Sequence, residues 1–141
     1  MSRAVFIGAS RYRRPSYGAN HPLGIPRVSL TVDLLQAYEA LPEAEYRDSR
    51  RAADRELAAF HADDYLRAAR RIQAAGRASA ADRQRYNLGN FENPAFADFY
   101  DTAALATGGT IQAAEAVVEE GIMGFSPAGG MHHAAPDQAR R

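Results

Sequence analysis

Gly121-Ile122-Met123-Gly124-Phe125-Ser126-Pro127-Ala128-Gly129-Gly130-Met131-His132-His133-Ala134 is the stretch on which the reading of this chain turns. Gly121 is a helix stop, residues 122–125 form a short apolar run that reads as a buried strand, and Ser126-Pro127 ends it. Two adjacent imidazoles behind a Gly-Gly step then stand in the loop that leaves the strand. Histidine titrates near neutral pH, so it serves as base, acid or metal ligand. Glycines there let backbone amides approach a substrate closely. Spacing alone leaves a second reading open: two solvent-exposed histidines near a frayed end. Neighbouring histidines rarely converge on one metal ion, and no third ligand of suitable spacing is near.

Upstream, a helix is expected from Pro94 to about Glu120, with Phe99, Leu105, Ile111 and Val117 on its apolar side. Gly108-Gly109 inside it would cost about 1 kcal/mol each against Ala, so a neighbouring element is expected to pack very close there. Residues 4–8 read as a buried first strand, and residues 11–26 as a loop punctuated by Pro15, Gly18, Asn20, Pro22, Gly24 and Pro26. A helix over 27–41 carries Val28, Val32, Leu35 and Tyr38 at helical spacing and stops before Pro42. Residues 44–47 read as a short edge strand. Asp54 is the expected N-cap of a helix over 55–60 with Leu57 and Phe60 inward. A further helix over 62–75 buries Tyr65, Leu66, Ala69 and Ile72, with Gly76 as its stop. Residues 77–94 read as a loop with a helical turn. Strand, helices, strand is the grammar of an α/β fold with a parallel sheet, whose functional loops leave the C-terminal strand ends.

Composition narrows the function classes. The chain has 141 residues, 46% hydrophobic and 24% charged, with net charge zero. Nothing in that charge draws it to nucleic acid or anionic membrane. All 17 basic residues are Arg, which with the many Ala reads as a GC-rich, bacterial genome. There is no Cys, hence no disulfide, thiolate metal site or Cys nucleophile. The N-terminal apolar run is too short for a signal peptide, no stretch is long enough to cross a bilayer, and a soluble cytoplasmic protein is expected.

Other candidate residues carry bland readings beside functional ones. His21 reads as a loop histidine with a structural hydrogen bond, and His61 as a packing or capping residue. Arg27 starts a helix, where a cation is electrostatically unhelpful, so another purpose is expected for it. Glu92, just before Asn93-Pro94, reads as a solvated acid or a contributor to capping.

Four segments in order resemble the histone deacetylase superfamily, in its bacterial acetoin-utilisation and acetylpolyamine-amidohydrolase-like branch. They are Tyr17-Gly18-Ala19-Asn20-His21-Pro22 through Pro26-Arg27; Glu56-Leu57-Ala58-Ala59-Phe60-His61-Ala62-Asp63-Asp64-Tyr65-Leu66; Glu92-Asn93-Pro94-Ala95-Phe96 leading to Thr107-Gly108-Gly109-Thr110; and Gly129-Gly130-Met131-His132-His133-Ala134. The resemblance implies the N-terminal part of a three-layer, parallel-sheet, arginase-like α/β fold. It also implies zinc-dependent hydrolysis of the amide of an acetylated amine, acetyl-lysine or acetylpolyamine. By the same resemblance His133 is the general base and acid, and His132 supports the transition state electrostatically. Gly130 and Met131 line the acyl tunnel, Arg27 lies near an internal cavity behind the metal, and Glu92 stands for an Asp that grips substrate at the rim.

The family's zinc ligands come from an Asp-x-His loop and a later Asp, and its carbonyl-polarising Tyr also comes later; no Asp-x-His occurs here. The expectation is therefore a partial domain without the metal ligands, binding no zinc and inactive as an isolated chain, and associating with itself through an exposed sheet. The alternative is a non-catalytic interaction module, or half of a split enzyme completed by a partner chain. No nucleic acid or membrane partner is expected.

Overall fold

The computed structural model describes residues 3–14, 17–18, 20–130 and 133–140. Three strands, β1 (Ala4–Gly8), β2 (Tyr46–Asp48) and β3 (Met123–Phe125), form a parallel sheet in the order β2-β1-β3. Phe6 of the central strand is level with Tyr46 on one side and Phe125 on the other. Around them stand α1 (Arg27–Ala37), α2 (Asp54–Ala58), α3 (Asp63–Ala75), α4 (Ala80–Tyr86) and α5 (Phe99–Glu120), with short 3-10 turns between. This is the α/β parallel-sheet architecture that the strand–helix–strand pattern predicts.

The period-2 alternation of β1 divides the core. Val5 and Ile7 point at α5, where they pack with Ala116. Phe6 points to the other face and completes an aromatic row, stacked on Tyr46 at 6.2 Å and edge-on to Phe125 at 5.4 Å. A second cluster joins Leu57, Leu66, Ala69 and Ile72 of α2 and α3 to Leu88, Tyr100 and Ala104. The apolar face predicted for residues 62–75 is thus the one buried.

Gly108 and Gly109 explain how the sheet meets α5. A Cβ on Gly108 would fall on the carbonyl of Arg50, and one on Gly109 would come within 2.7 Å of Ser49 Oγ, 3.0 Å of Ser126 Oγ and 3.4 Å of Ile7 Cγ2. The close approach expected from the paired glycines is therefore a groove for the chain segments leaving β2 and β3. The segment after β2 is bonded into it: Ser49 N–H donates to Gly8 O, Ser49 Oγ–H to Leu105 O, and Ala52 N–H to Ala104 O.

Four local expectations need correction. α1 ends at Ala37 rather than 41, because Glu39 turns left-handed at φ 53° and the Ala40 N–H closes back on Leu35 O. Tyr38 is consequently 77% exposed. The N-cap of α2 is Ala53, not Asp54; the Asp54 carboxylate pairs with Arg70, and Glu56 reaches back to the Ala53 N–H at 2.6 Å. Phe60 lies beyond α2 and is exposed. α5 starts at Phe99 rather than Pro94, because Asp98 is left-handed at φ 61° and Gln73 Oε1 accepts the N–H groups of Tyr100 and Asp101 in place of a local cap. Pro15 lies outside the described residues.

Candidate functional site

The loops that follow β1, β2 and β3 all leave the same end of the sheet, because the three strands are parallel. The histidine loop is one of them. It begins at Ser126, whose hydroxyl lies at the Gly109 groove of α5 beside Ser49 from the β2 loop. It turns through a Gly129 N–H to Ser126 O bond of 3.2 Å, and Gly129 sits against Thr110, whose Oγ1 would be 3.1 Å from an added Cβ. Thr107-Gly108-Gly109-Thr110 is thus the seat for two loops at the C-terminal end of the sheet.

Gly130 differs from its neighbour. A Cβ there would meet nothing within 4 Å among the described residues, and its φ is not in the left-handed region. Among the described residues, neither packing nor its backbone conformation requires glycine at this exposed position. Met131 and His132 lie outside the described residues. His133 is exposed.

Beyond His133 the chain is tied down again. Ala135 is buried, and Pro136 O accepts the Ala62 N–H at 2.8 Å and lies 3.4 Å from His61 Nδ1. Ala139 N–H donates to Tyr86 O at 2.9 Å, and Asn87 Nδ2 donates to Ala139 O at 3.1 Å. His61 therefore touches the histidine loop from the α2–α3 junction. The sequence marks it only as a residue after Phe60 in a motif, since no spacing links positions 61 and 136.

A second group lies on the loop after β1. Tyr17, itself left-handed at φ 64°, stacks on His21 at 4.8 Å and on Phe96 at 4.9 Å, and His21 faces Phe91 at 5.5 Å. His21 Nδ1 accepts the Leu23 N–H at 3.1 Å, the structural hydrogen bond expected of it. Burial raises the pKa of the Tyr17 hydroxyl, keeping it neutral at physiological pH. This aromatic group ties the N-terminal loop to the segment carrying Glu92, which is exposed beside the exposed Phe91. Arg27 is exposed on the first turn of α1, where both terminal nitrogens donate to Pro22 O at 3.2 Å, so its cation braces the preceding turn.

Among the described residues, no group of three His, Asp or Glu side chains is placed to hold a metal ion. The described residues alone do not fit a zinc site. Among the described residues, no helix is long and apolar enough to cross a membrane.

Comparison with known proteins fits this geometry. Residues 21–140 match the histone deacetylase domain family. The acetoin utilization protein AcuC of Bacillus subtilis (strain 168) is 34% identical over 134 residues, which span 94% of this chain and 34% of that protein. Histone deacetylase 1 of Homo sapiens is 29% identical over 125 residues, 87% of this chain and 26% of that protein. The crystal structure of an HDAC homologue from Aquifex aeolicus superposes with a TM-score of 0.93 at 37% identity, covering 99% of this chain and 37% of the homologue. An HDAC homologue crystallised in complex with SAHA superposes with a TM-score of 0.92 at 38% identity. The chain spans about a quarter to somewhat over a third of the length of these relatives. The fold is the arginase/deacetylase fold, in part, and the chain belongs to the histone deacetylase family.

Proposed function

We propose that this chain is the N-terminal part of a zinc-dependent deacetylase that hydrolyses the amide of an acetylated amine, acetyl-lysine or acetylpolyamine. His133 is the general base that takes the proton of the attacking water and returns it to the leaving amine. His132 stabilises the charge that develops on the carbonyl oxygen. Gly130 and Met131 border the acyl group, and Glu92 holds the amine side at the rim. The side chains that hold zinc lie, in this reading, outside the 141 residues, and the isolated chain is inactive. A base alone contributes about 10²–10⁴-fold, far short of the acceleration amide hydrolysis needs.

The observation that carries the reading is Gly130. It stands exposed within the histidine loop, with neither φ nor described packing requiring glycine. A substrate passing close to its backbone accounts for the residue.

The test is a chimera in which these 141 residues replace the matching third of the Aquifex aeolicus homologue. It should release acetate from an acetyl-lysine peptide or an acetylated polyamine. His133→Ala should lower kcat by about 10²–10⁴-fold with KM little changed. Gly130→Ala should leave the fold intact and raise KM. A folded chimera whose turnover does not depend on His133 would overturn the assignment. A second reading, half of a split enzyme completed by a partner chain, is favoured by one observation: β3 is an edge strand with Met123 and Phe125 uncovered. Co-purification of a second chain carrying an Asp-x-His loop would establish it.

A further inference from the structure

The histidine loop is anchored at both ends by elements distant in sequence. Its upstream end rests on α5 at Gly109 and Thr110. Its downstream end is fixed at Pro136, three residues past His133, by the Ala62 N–H at 2.8 Å, with His61 Nδ1 at 3.4 Å. From this we infer that His61 and Ala62, at the α2–α3 junction, are positioning residues for the His133 imidazole, an inference that rests on the role of His133 proposed above.

A general base works only within hydrogen-bond reach of its proton, and a misplacement of about 1 Å can cost about 10²-fold. A loop backbone held at one end can swing; a second anchor shortly beyond His133 removes most of that freedom. The donors suit this work. Ala62 is the N-cap of α3, and the helix has no partner for its N–H, so that bond is spent on Pro136 alone. The His61 ring is itself held, edge-on to Phe60 at 4.9 Å and tilted against Tyr65 at 5.4 Å. The anchor is reinforced by the buried Ala135 and by the Ala139–Tyr86 bond. Neither residue is assigned a contact with substrate, so both act through the loop.

The test uses the chain as it stands and reads the ring-proton resonances of its histidines by NMR. Ala62 has φ −65°, the angle proline imposes, so Ala62→Pro deletes the N–H while keeping the residue's own φ. Ala62→Pro and His61→Leu should both shift the ring-proton resonances of His133. His21, in the separate aromatic group, should keep its own. His61→Asn, whose amide can still donate to Pro136 O, should restore the wild-type His133 signature.

Unchanged His133 resonances in folded Ala62→Pro and His61→Leu would overturn the inference. Should Ala62→Pro unfold the chain, His61→Leu at a half-buried side chain decides alone. In the chimera, Ala62→Pro should lower kcat by about 10²-fold without raising KM. An inactive parent chimera would sink the deacetylase reading and leave the resonance result standing.

Discussion

Glu56 accepts two hydrogen bonds from Arg50 at 2.8 Å each and one from the Ala53 N–H at 2.6 Å. Arg50 and then the Ala53 amide hold its pKa down to about 2, from an ordinary 4.5. A folded-state pKa below the unfolded one stabilises the protein fully above 4.5, and that contribution is lost as pH falls toward about 2. Tm measured by circular dichroism should therefore fall through this window, and Glu56→Gln should flatten that part of the profile. A Glu56→Gln profile as steep as wild type would show that other carboxylates carry the acid sensitivity. In the sequence, residue types pointed correctly to His21 as a residue with a structural hydrogen bond. They did not reveal Glu56 as the cap of α2. Its partner Arg50 reaches it only because the chain after β2 lies in the Gly108 groove, with Arg50 N–H bonded to Gln112 Oε1 at 2.6 Å.

At the scale of elements, β1 was legible because both of its faces are covered, and α3 because one face of it must be. The face of α5 was less legible: Val117, expected on its apolar side, is 54% exposed, and the buried positions are Tyr100, Ala104, Gly108, Gly109 and Ala116. The helix ends were also less legible. α1 and α5 are bounded by Glu39 and Asp98 in left-handed conformations, which Glu does not announce and Asp announces only weakly, and α5 is capped by Gln73 from another helix. The paired glycines were legible as a close approach but not as to what approaches. Gly108→Ala places a methyl on the Arg50 carbonyl, and backbone rather than a flexible side chain must move. Overpacking of this kind costs about 1–3 kcal/mol, and a backbone clash puts Gly108→Ala at or above the upper end. Urea denaturation should show that loss for Gly108→Ala and almost none for Gly130→Ala, whose Cβ enters open space. Equal stability of the two variants would mean that the segment after β2 is not held in the groove.

For the molecule as a whole, the accessible surface is 9015 Å² for a mass of 15.3 kDa. A compact monomer of that mass exposes about 7,100 Å². The excess of roughly 1,900 Å² exceeds the ~800 Å² that each partner contributes to a standard protein interface. It is not spread evenly. The β2 edge is charged: Arg47 and Asp48 are exposed, and Arg47 pairs with Glu120 at 2.5 Å, the kind of edge that resists pairing. The β3 edge offers Met123, 70% exposed, and Phe125, 53% exposed, with no charge on the strand. On α5, Val117 and Val118 are also uncovered. An open, uncharged edge beside apolar side chains is a template for association, so the chain should self-associate through β3 rather than β2. Light scattering across a concentration series should give a rising mean mass for wild type. Phe125→Lys should lower it, because a charge on the bare edge must be desolvated for a second strand to pair there. Arg47→Ala, on the far edge, should leave the mass nearly unchanged. A wild-type chain that stays monomeric throughout would show that the uncovered β3 surface does not associate with its own copies, and would strengthen the case for a dissimilar partner segment on that edge.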